Sequence, residues 1–411
     1  MISKKKAAIG AAILIVVTAI VSSFFAIQID RYASFKNGTA VVPRKNFARM
    51  QDYGKLDAVR SILEGEYIEE PDNDKMLDGA IKGLVASLED PYSYYFTQEE
   101  FRQFTERTQG SYAGVGMVVT VEQKDNTITV VRTFKGSPAA KAGIVAEDKI
   151  VKVSGEEVDG SMLDNAVAMM RGEPGSKVKV TINRNGELKE FELERAIVEI
   201  PDLEYRMLED DIGYIWLYSF DENSAKNFEN ALNDMKKQGM KAFILDLRGN
   251  PGGLLSTCVD IADILLPEGL VVYRMDRSGN REDYKSDAKQ LKLPMAVLVD
   301  ENSASASEVL TGAIQDYGVA TIIGKTTFGK GVVQDVRPFK DGSALKYTTS
   351  KYYTPKGRDI NKKGLKPDIE VDMTDEAKNY LIKNPNNDLP LELDAPLLRA
   401  IEEVKHKKNS K

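Results

Sequence analysis

The chain has 411 residues, long enough for two or more domains, because a single hydrophobic core seldom grows beyond roughly 250–300 residues. Hydrophobic residues make up 42% and charged residues 29%, as in an ordinary globular protein. The net charge of -7, with no basic stripe outside the termini, argues against a nucleic-acid partner.

A single histidine and a single cysteine exclude several kinds of site. His406 lies in a run of lysines near the C-terminus and is a poor candidate for the imidazole of a Ser–His–Asp triad. Zinc sites built from His and Cys clusters are excluded, an intramolecular disulfide is impossible, and no metal or cofactor is implied. Cys258 lies in an apolar segment, so we interpret it as core packing.

An uncharged segment of 21 residues, 7–27, follows three lysines. As a helix it would measure about 32 Å, enough to cross the hydrocarbon core of a bilayer. The lysines predict that residues 1–6 form a cytoplasmic tail and that the chain after residue 27 is extracytoplasmic, anchored in the cell membrane by a single pass. A cleaved signal peptide is the alternative, but the apolar run is long for one and lacks a convincing cleavage site.

The pattern of apolar residues changes twice after this anchor. Apolar side chains first recur at helical spacing, as over 76–88, and then alternate as in short β-strands. Continuous apolar strands that alternate with helices follow, which predicts a largely parallel sheet in an α/β core. The predicted segments are a linker (28–46), an N-terminal helical region (47–109), a β-rich module (110–195), the α/β core (196–374) and a polar C-terminal extension with one amphipathic helix (375–411).

Three serines, Ser303, Ser305 and Ser307, follow the apolar strand 295–299 and open a predicted helix. A serine hydroxyl at this place is exposed and close to free backbone N–H groups and to the positive end of the helix dipole. These features suit a nucleophile. Serine is also a preferred helix cap, so the motif alone leaves both interpretations open.

Lys330 lies between two glycines, with Phe328, Val332 and Val333 close by in the sequence. Burial by such neighbours disfavours a charged amine and lowers its pKa toward the range that a general base requires. Because the chain has no usable histidine, a lysine is the obvious partner for a nucleophilic hydroxyl. A lysine that binds phosphate or carboxylate and a plain surface turn are the alternatives. Gln334, four residues later, can orient Lys330 only if the segment turns, since in a strand the two side chains lie roughly 13 Å apart.

Two glycine-rich loops offer backbone N–H groups to an anion. Residues 246–253 join a buried strand to a helix, as an oxyanion hole requires, although a plain tight turn or a phosphate site remains open. In the β-rich module, the sequence Gly-Val-Gly-Met at 114–117 precedes a strand. Such a loop can hold a terminal carboxylate while the peptide adds a strand to the sheet edge.

Five motifs in this order resemble the C-terminal processing, or tail-specific, serine peptidase family with a PDZ domain, and in particular the membrane-anchored carboxy-terminal processing proteases of Gram-positive bacteria. The resemblance extends over residues 56–371. It implies an α/β fold in which a peptidase core similar to the Clp-protease/crotonase fold contains an inserted β-rich PDZ domain after an N-terminal helical region. The motifs are the segments 90–95, 112–117, 246–253, 303–308 and 328–334.

The resemblance also assigns the site. In the family, the nucleophile lies 25 residues before the base, which implies that Ser305 is the nucleophile and that Ser303 and Ser307 are local structure. The site residues implied are catalytic Ser305, Lys330 and Gln334; oxyanion donors Ala306, Gly252 and Gly253; and peptide-binding Gly114, Val115, Gly116, Met117 and Arg171.

The expected function is that of a serine endopeptidase that binds protein C-terminal tails and cleaves them outside the membrane, with a homodimer as a further expectation from relatives. Two departures bear on specificity. The loop reads Gly-Val-Gly-Met where animal PDZ domains favour Gly-Leu-Gly-Phe, and 375–411 is too short for the peptidoglycan-binding domain of some relatives. A catalytically silent, membrane-anchored PDZ scaffold is the main alternative; an acyl-CoA enzyme on a crotonase-like core is disfavoured by the predicted location.

Overall fold

The computed structural model describes residues 44–287, 289–384 and 389–409. The predicted tail (1–6), the predicted anchor (7–27) and the predicted linker up to residue 43 lie outside these ranges. None of the described helices is both long and apolar enough to cross a membrane. The chain divides after Ile81 into two compact units.

The N-terminal part contains two helices, α1 (Arg44–Glu66) and α2 (Asn73–Ala86). Large apolar side chains on α1 are exposed and recur every three or four residues, so they share one face of the helix. They are Tyr53, Leu56, Val59, Ile62 and Leu63. This apolar stripe is available for an intermolecular contact.

A short strand and a third helix connect this region to the β-rich module: β1 (Tyr94–Phe96) and α3 (Gln98–Gln109). Thr97 caps α3 and forms a capping box with Glu100. The helix ends at Gly110, whose φ of 66° lies in the left-handed region that glycine tolerates best.

The β-rich module is an antiparallel sheet in the order β3-β4-β5-β7-β8, with β6 beside β5 and a separate β2–β9 pair. Its elements are β2 (Ser111–Gly114), β3 (Met117–Glu122), β4 (Thr127–Thr133), α4 (Pro138–Ala142), β5 (Lys149–Val153), β6 (Glu156–Glu157), α5 (Leu163–Met170), β7 (Lys177–Arg184), β8 (Glu187–Glu194) and β9 (Ala196–Glu199). The module has its own apolar core, which includes Ile128, Val130, Ile150 and Ile182. The strand β3 is at the sheet edge, where a peptide strand can be added.

The remaining elements include the α/β core, and they follow one another as predicted for an α/β fold. They are β10 (Leu203–Leu208), β11 (Ile212–Leu217), α6 (Ser224–Lys237), β12 (Ala242–Asp246), α7 (Leu255–Leu265), β13 (Gly269–Asp276), β14 (Arg281–Ser286), β15 (Met295–Val299), α8 (Ala306–Tyr317), β16 (Thr321–Gly324), β17 (Val332–Pro338), β18 (Ala344–Tyr353), β19 (Ile369–Glu370), α9 (Asp375–Lys383) and α10 (Ala395–Asn409).

The main sheet has the order β10-β11-β12-β15-β16-β19 and is parallel except for β10. Side chains alternate between its two faces, as the two-residue period of a strand requires. One face, with Phe243, Leu245 and Val297, packs against α6, α7 and α8. Cys258 of α7 is fully buried there, which confirms its interpretation as core packing.

A second sheet is built around β18. This strand pairs along one edge with β17 and along the other with β1 at its start and β13 at its end. A β-bulge interrupts the β17–β18 pairing between Val333 and Gln334. The sheet brings β1, which precedes the β-rich module in the chain, to the hairpin that follows Lys330.

The second face of the main sheet is covered by α10, which corresponds to the amphipathic helix that the sequence predicts within the extension 375–411. Leu397, Ala400 and Val404 are buried against Ile244 and Leu298. Their spacing of three and four residues forms a narrow apolar stripe. The opposite face of the helix is charged, so the helix is amphipathic while the extension as a whole is polar.

We therefore expect Leu397→Ala to destabilise the core by about 2–5 kcal/mol, since it removes a side chain that is 2% exposed from the helix–sheet contact. The neighbouring Leu398 is 37% exposed, and Leu398→Ala is the matched control, with an expected cost below about 1 kcal/mol. Urea unfolding, followed by the fluorescence of the single tryptophan, Trp216 in β11, measures both. Equal midpoints for the two variants would contradict a structural role for α10.

Candidate active site

Ser305 occupies a sharp turn between β15 and α8. Its φ of 57° and ψ of -113° are unusual for a residue with a side chain, so the surrounding contacts must hold the turn. The hydroxyl of Ser303 donates to Leu247 O at 2.8 Å, and that of Ser307 donates to Asn250 O at 3.0 Å. These two serines therefore tie the turn to the glycine-rich loop 246–253.

Glu308 joins the Ser305 turn to the Lys330 loop. Its side chain is fully buried, and its Oε2 accepts from Ser305 N at 2.9 Å and from Lys330 N at 2.8 Å. Its Oε1 accepts from Thr327 Oγ1 at 2.6 Å and from Gly329 N at 2.7 Å. One carboxylate thus positions the backbone of both residues.

The amine of Lys330 is partly buried and lies 4.8 Å from the ring centre of Tyr92. Burial lowers the pKa of Lys330, and the positive charge of Lys346 lowers it further; the carboxylates of Asp90 and Glu308 act in the opposite direction, and the pKa remains below its ordinary value. The amine forms no ion pair with any residue in the described ranges. Its surroundings therefore favour the neutral form that a base needs.

Tyr352 of β18 contacts the main chain of the same two residues at their carbonyl oxygens. Its hydroxyl lies 3.0 Å from Ser305 O and also within hydrogen-bonding distance of Lys330 O. Burial raises the pKa of Tyr352 well above its ordinary value, so the hydroxyl keeps its proton and acts as a donor.

The glycine-rich loop approaches the Ser305 turn closely. A Cβ at Gly252, whose φ is +105°, would lie 2.8 Å from Ser305 Cβ and 3.0 Å from Ala306 N, so only glycine fits. The N–H of Gly252 donates to Asn250 Oδ1 at 2.8 Å, which leaves it committed to the loop itself.

The other two predicted oxyanion donors are placed differently. Ala306 is the first residue of α8, so its N–H has no acceptor within the helix. Gly253 and Phe220 form an isolated β-bridge, in which Phe220 N donates to Gly252 O and Leu254 N donates to Phe220 O. Neither hydrogen bond uses the N–H of Gly253.

Gln334 lies in β17, and its side chain donates to Thr348 Oγ1 at 3.2 Å. Thr348 Oγ1 donates in turn to Asp90 Oδ2 at 2.6 Å, and Ser93 Oγ donates to the same carboxylate oxygen at 2.6 Å. No hydrogen bond joins Gln334 to Lys330 among the residues that the structure describes. The extended strand accounts for this, because an orienting contact needs a turn between the two residues.

The PDZ loop borders a cavity of about 440 Å³. Its walls come from the loop and β3, from α5 and from α3, and they include Val115, Met117, Val119, Val167, Met170 and Gln103. Gly114 and Gly116 shape the loop rather than line the cavity. A Cβ at Gly114 would lie 2.8 Å from the Tyr112 ring, and one at Gly116 would lie 2.2 Å from Ser137 Cβ.

Arg171, directly after α5, lies at the edge of this cavity. Its guanidinium donates to the Glu106 carboxylate of α3 and lies 5.3 Å from the ring centre of Tyr112. Its Nε is buried without a hydrogen-bond partner in the described part of the chain. The edge of the cavity therefore contains an arginine with an unused hydrogen-bond donor.

Four residues of this arrangement received no role from the sequence: Asp90, Glu308, Lys346 and Tyr352. Only Glu308 had a usable local signal, because Ser305-x-x-Glu308 is a capping-box pattern. The other three depend on contacts between distant segments. Within the described ranges, no group of three or more His, Cys, Asp or Glu side chains could hold a metal ion.

Three family models match the sequence in succession. Residues 10–100 match the N-terminal domain of the activating protease CtpB, residues 115–194 match the PDZ domain, and residues 211–371 match peptidase family S41. The β-rich module of the fold corresponds to the PDZ match, and the α/β core corresponds to the S41 match.

Individual relatives agree with these matches. The carboxy-terminal processing protease CtpA of Bacillus subtilis is 36% identical over 370 residues, which are 89% of this chain and 78% of the relative. A probable CtpA-like serine protease of Staphylococcus aureus is 38% identical over 80% of this chain, which spans 66% of that protein's length. A putative S41 protease from Bacteroides fragilis shares the fold, with a TM-score of 0.50, 17% identity and coverage of 85% of this chain and 97% of that one.

The identity to the Bacillus protein over most of both chains, together with the fold, shows that this chain is a serine peptidase with a PDZ domain and that it belongs to the carboxy-terminal processing proteases of peptidase family S41.

Proposed function

We propose that this protein is an endopeptidase that binds the exposed C-terminal tails of extracytoplasmic proteins through its PDZ domain and cleaves them with Ser305 and Lys330. The observation that carries the proposal is the pair of hydrogen bonds from Ser305 N and Lys330 N to one buried carboxylate oxygen of Glu308. A shared anchor of this kind keeps a hydroxyl and an amine in adjacent segments, as a nucleophile and its base require.

In this mechanism, Ser305 Oγ attacks the scissile carbonyl while the neutral amine of Lys330 accepts the hydroxyl proton. The N–H groups of Ala306 and Gly253 stabilise the oxyanion that develops on the carbonyl oxygen. The ammonium of Lys330 then protonates the leaving amine, and the acyl group remains on Ser305. Water attacks the acyl-enzyme with Lys330 again as the base, which releases the new carboxyl end and restores the site.

Gln334 enters the mechanism as a residue that orients Lys330. In the present structure its amide is bonded to Thr348, so this role requires the side chain to rotate away from that partner. Gly252 supports the oxyanion site through its close approach to Ser305 rather than through its own N–H, which is bonded to Asn250.

Tail recognition is assigned to the cavity beside β3. The terminal carboxylate binds the backbone N–H groups of residues 114–117 and the guanidinium of Arg171, while the peptide backbone extends the sheet along β3. The apolar walls formed by Val115, Met117 and Val167 favour a tail that ends in apolar residues.

Two further parts of the proposal concern location and assembly. The uncharged segment 7–27 after three lysines supports a single-pass membrane anchor with the catalytic part extracytoplasmic. The exposed apolar stripe of α1 supports a homodimer, because an exposed apolar face of this size favours association.

Replacing the nucleophile distinguishes a peptidase from a silent scaffold. We expect Ser305→Ala to lose cleavage of a tail peptide by at least about 10³-fold while it binds the peptide as before, since only the attacking oxygen is removed. Mass spectrometry of the products measures cleavage, and fluorescence anisotropy measures binding. Ser278→Ala, which changes an exposed serine in the turn between β13 and β14, is the control and retains cleavage. Full activity of Ser305→Ala would reject the mechanism.

The pH dependence tests the base. Only neutral Lys330 accepts a proton, so kcat/KM rises with pH and reaches a plateau above the pKa of this amine, which burial places below the ordinary lysine value of 10.5. The pH–rate profile for cleavage of a tail peptide measures the acid limb, which is the pH range in which kcat/KM rises. Lys330→Arg keeps a positive charge but cannot lose it near neutral pH, so this variant is inactive at every pH tested. An active Lys330→Arg enzyme would exclude Lys330 as the base.

The free carboxylate of the tail is the third requirement. We expect a peptide with a C-terminal amide to be cleaved with a kcat/KM about tenfold or more below that of the same peptide with a free acid, because the amide lacks the charge that the loop and Arg171 bind. Parallel kinetics with the two peptides provide the measurement. Equal rates would remove the PDZ loop from substrate recognition.

A further inference from the structure

Asn250 lies in the glycine-rich loop 246–253, and both ends of its side-chain amide are bonded. The side chain is fully buried. Gly252 N donates to its Oδ1 at 2.8 Å, and its Nδ2 donates at 2.9 Å to Leu217 O, at the end of β11. A backbone N–H can only donate and a backbone carbonyl can only accept, so these two partners determine which end of the amide is the oxygen.

The main chain of Asn250 is bonded to the Ser305 turn at the same time. Its carbonyl oxygen accepts from Ala304 N at 3.0 Å and from Ser307 Oγ at 3.0 Å. These two donors lie on either side of Ser305 in the sequence. A single residue therefore connects the end of β11, the Ser305 turn and Gly252.

The hydrogen bonds of the loop leave one of its N–H groups free. Most N–H groups of residues 248–254 donate to acceptors in the loop or in neighbouring segments. They are the N–H groups of Arg248, Gly249, Asn250, Gly252 and Leu254. Pro251 has no N–H. Gly253 N has no acceptor in the described ranges, and it directly follows Gly252, where the loop approaches Ser305 and Ala306 most closely.

The two glycines need an outside contact to keep this arrangement. The φ values of Gly252 and Gly253, +105° and +149°, lie in a region that glycine enters readily, so the main chain alone does not fix the peptide planes. The amide of Asn250 provides the contact, because it holds the Gly252 N–H while it is itself anchored to the end of β11. A carboxylate could not do the same, since it cannot donate to Leu217 O.

We propose that Asn250 is a positioning residue for the oxyanion site. By holding Gly252 N, it leaves the N–H of Gly253 as the donor that the loop offers to the scissile carbonyl. This inference rests on the proposed function, in which Ala306 and Gly253 stabilise the oxyanion. These donors act on charge that develops only in the transition state, so the loss of the Asn250 amide lowers kcat and leaves tail binding at the cavity beside β3 unchanged.

The test removes the amide in two ways. Asn250→Leu keeps the approximate size of the side chain without its polar atoms, and Asn250→Ala removes the amide without overfilling the site. We expect kcat for a tail peptide to fall about tenfold to 10³-fold in both variants, with KM within about twofold of the original enzyme. Fluorescence anisotropy, with Ser305→Ala added to prevent cleavage, measures the Kd of the tail, which we expect to be unchanged.

A peptide aldehyde inhibitor provides a second readout that reports on the oxyanion site. Its carbonyl carbon bonds to Ser305 Oγ, the hydroxyl proton passes to Lys330, and the carbonyl oxygen becomes an oxyanion in the same place as that of the substrate. Such an adduct resembles the transition state. We expect its inhibition constant to rise by about the same factor as kcat falls.

Leu232→Ala is the control for a loss of stability alone. It removes a side chain that is 1% exposed from α6 and no polar contact of the loop, so it lowers the midpoint of urea unfolding while the folded enzyme keeps its kcat. A merely structural role of Asn250 would instead make the loss of kcat follow the loss of stability in all three variants.

Each outcome decides the inference. A kcat within about twofold of the original enzyme in a folded Asn250 variant overturns it, and so does a fall in kcat that the inhibition constant of the aldehyde does not share. Asn250→Ala decides by the same criteria if Asn250→Leu does not fold. Either negative result leaves the proposed function intact as long as Ser305→Ala and Lys330→Arg are inactive, whereas cleavage by Ser305→Ala would reject the function itself.

Discussion

The hydrogen bonds to the buried carboxylate of Glu308 are the constraint on which the site depends. A buried carboxylate is costly unless it is well paired, and here four donors from two segments satisfy it. Three of these donors are backbone N–H groups, which a substitution elsewhere in the loop does not remove. The carboxylate therefore fixes the main chain of Ser305 and Lys330 without a bond to the hydroxyl of the one or the amine of the other. The strained φ of Ser305 is sustained by the same contacts.

Much of the fold could be predicted because the main sheet is buried on both faces. Strands such as β12 and β15 then consist of continuous apolar runs that stand out in a sequence. The second sheet could not be predicted, since β17 and β18 are mostly half-exposed and mix polar with apolar residues. Its pairing of β1 with β18 joins segments about 250 residues apart, and no local pattern encodes such a contact. The amphipathic pattern of α10 was recognisable in the sequence, but the sheet face that its apolar stripe covers was not, because that contact joins distant segments.

The candidate site, like the fold, could be predicted only in part. The serines, the glycine loops and Lys330 can be recognised in the sequence because glycines and helix starts have local sequence patterns. Contacts between one motif and another cannot be recognised in this way. One example is the hydrogen bond from Gly252 N to Asn250, which depends on the geometry of the loop. Another is the hydrogen bond from Gln334 to Thr348, which depends on the geometry of the strand. The sequence specifies neither geometry. The roles of Asp90 and Tyr352 are further cases, since each acts on a segment far from its own.

The segment before the PDZ domain links the two sites physically. Tyr92 lies beneath the Lys330 amine, and Phe96 and Phe104 stack with ring centres 4.9 Å apart beneath Lys346. Half a turn further along α3, Glu106 binds Arg171 at the cavity beside β3. The helix α3 therefore contributes Phe104 to the aromatic contacts of Lys346 and Glu106 to the wall of the cavity beside β3.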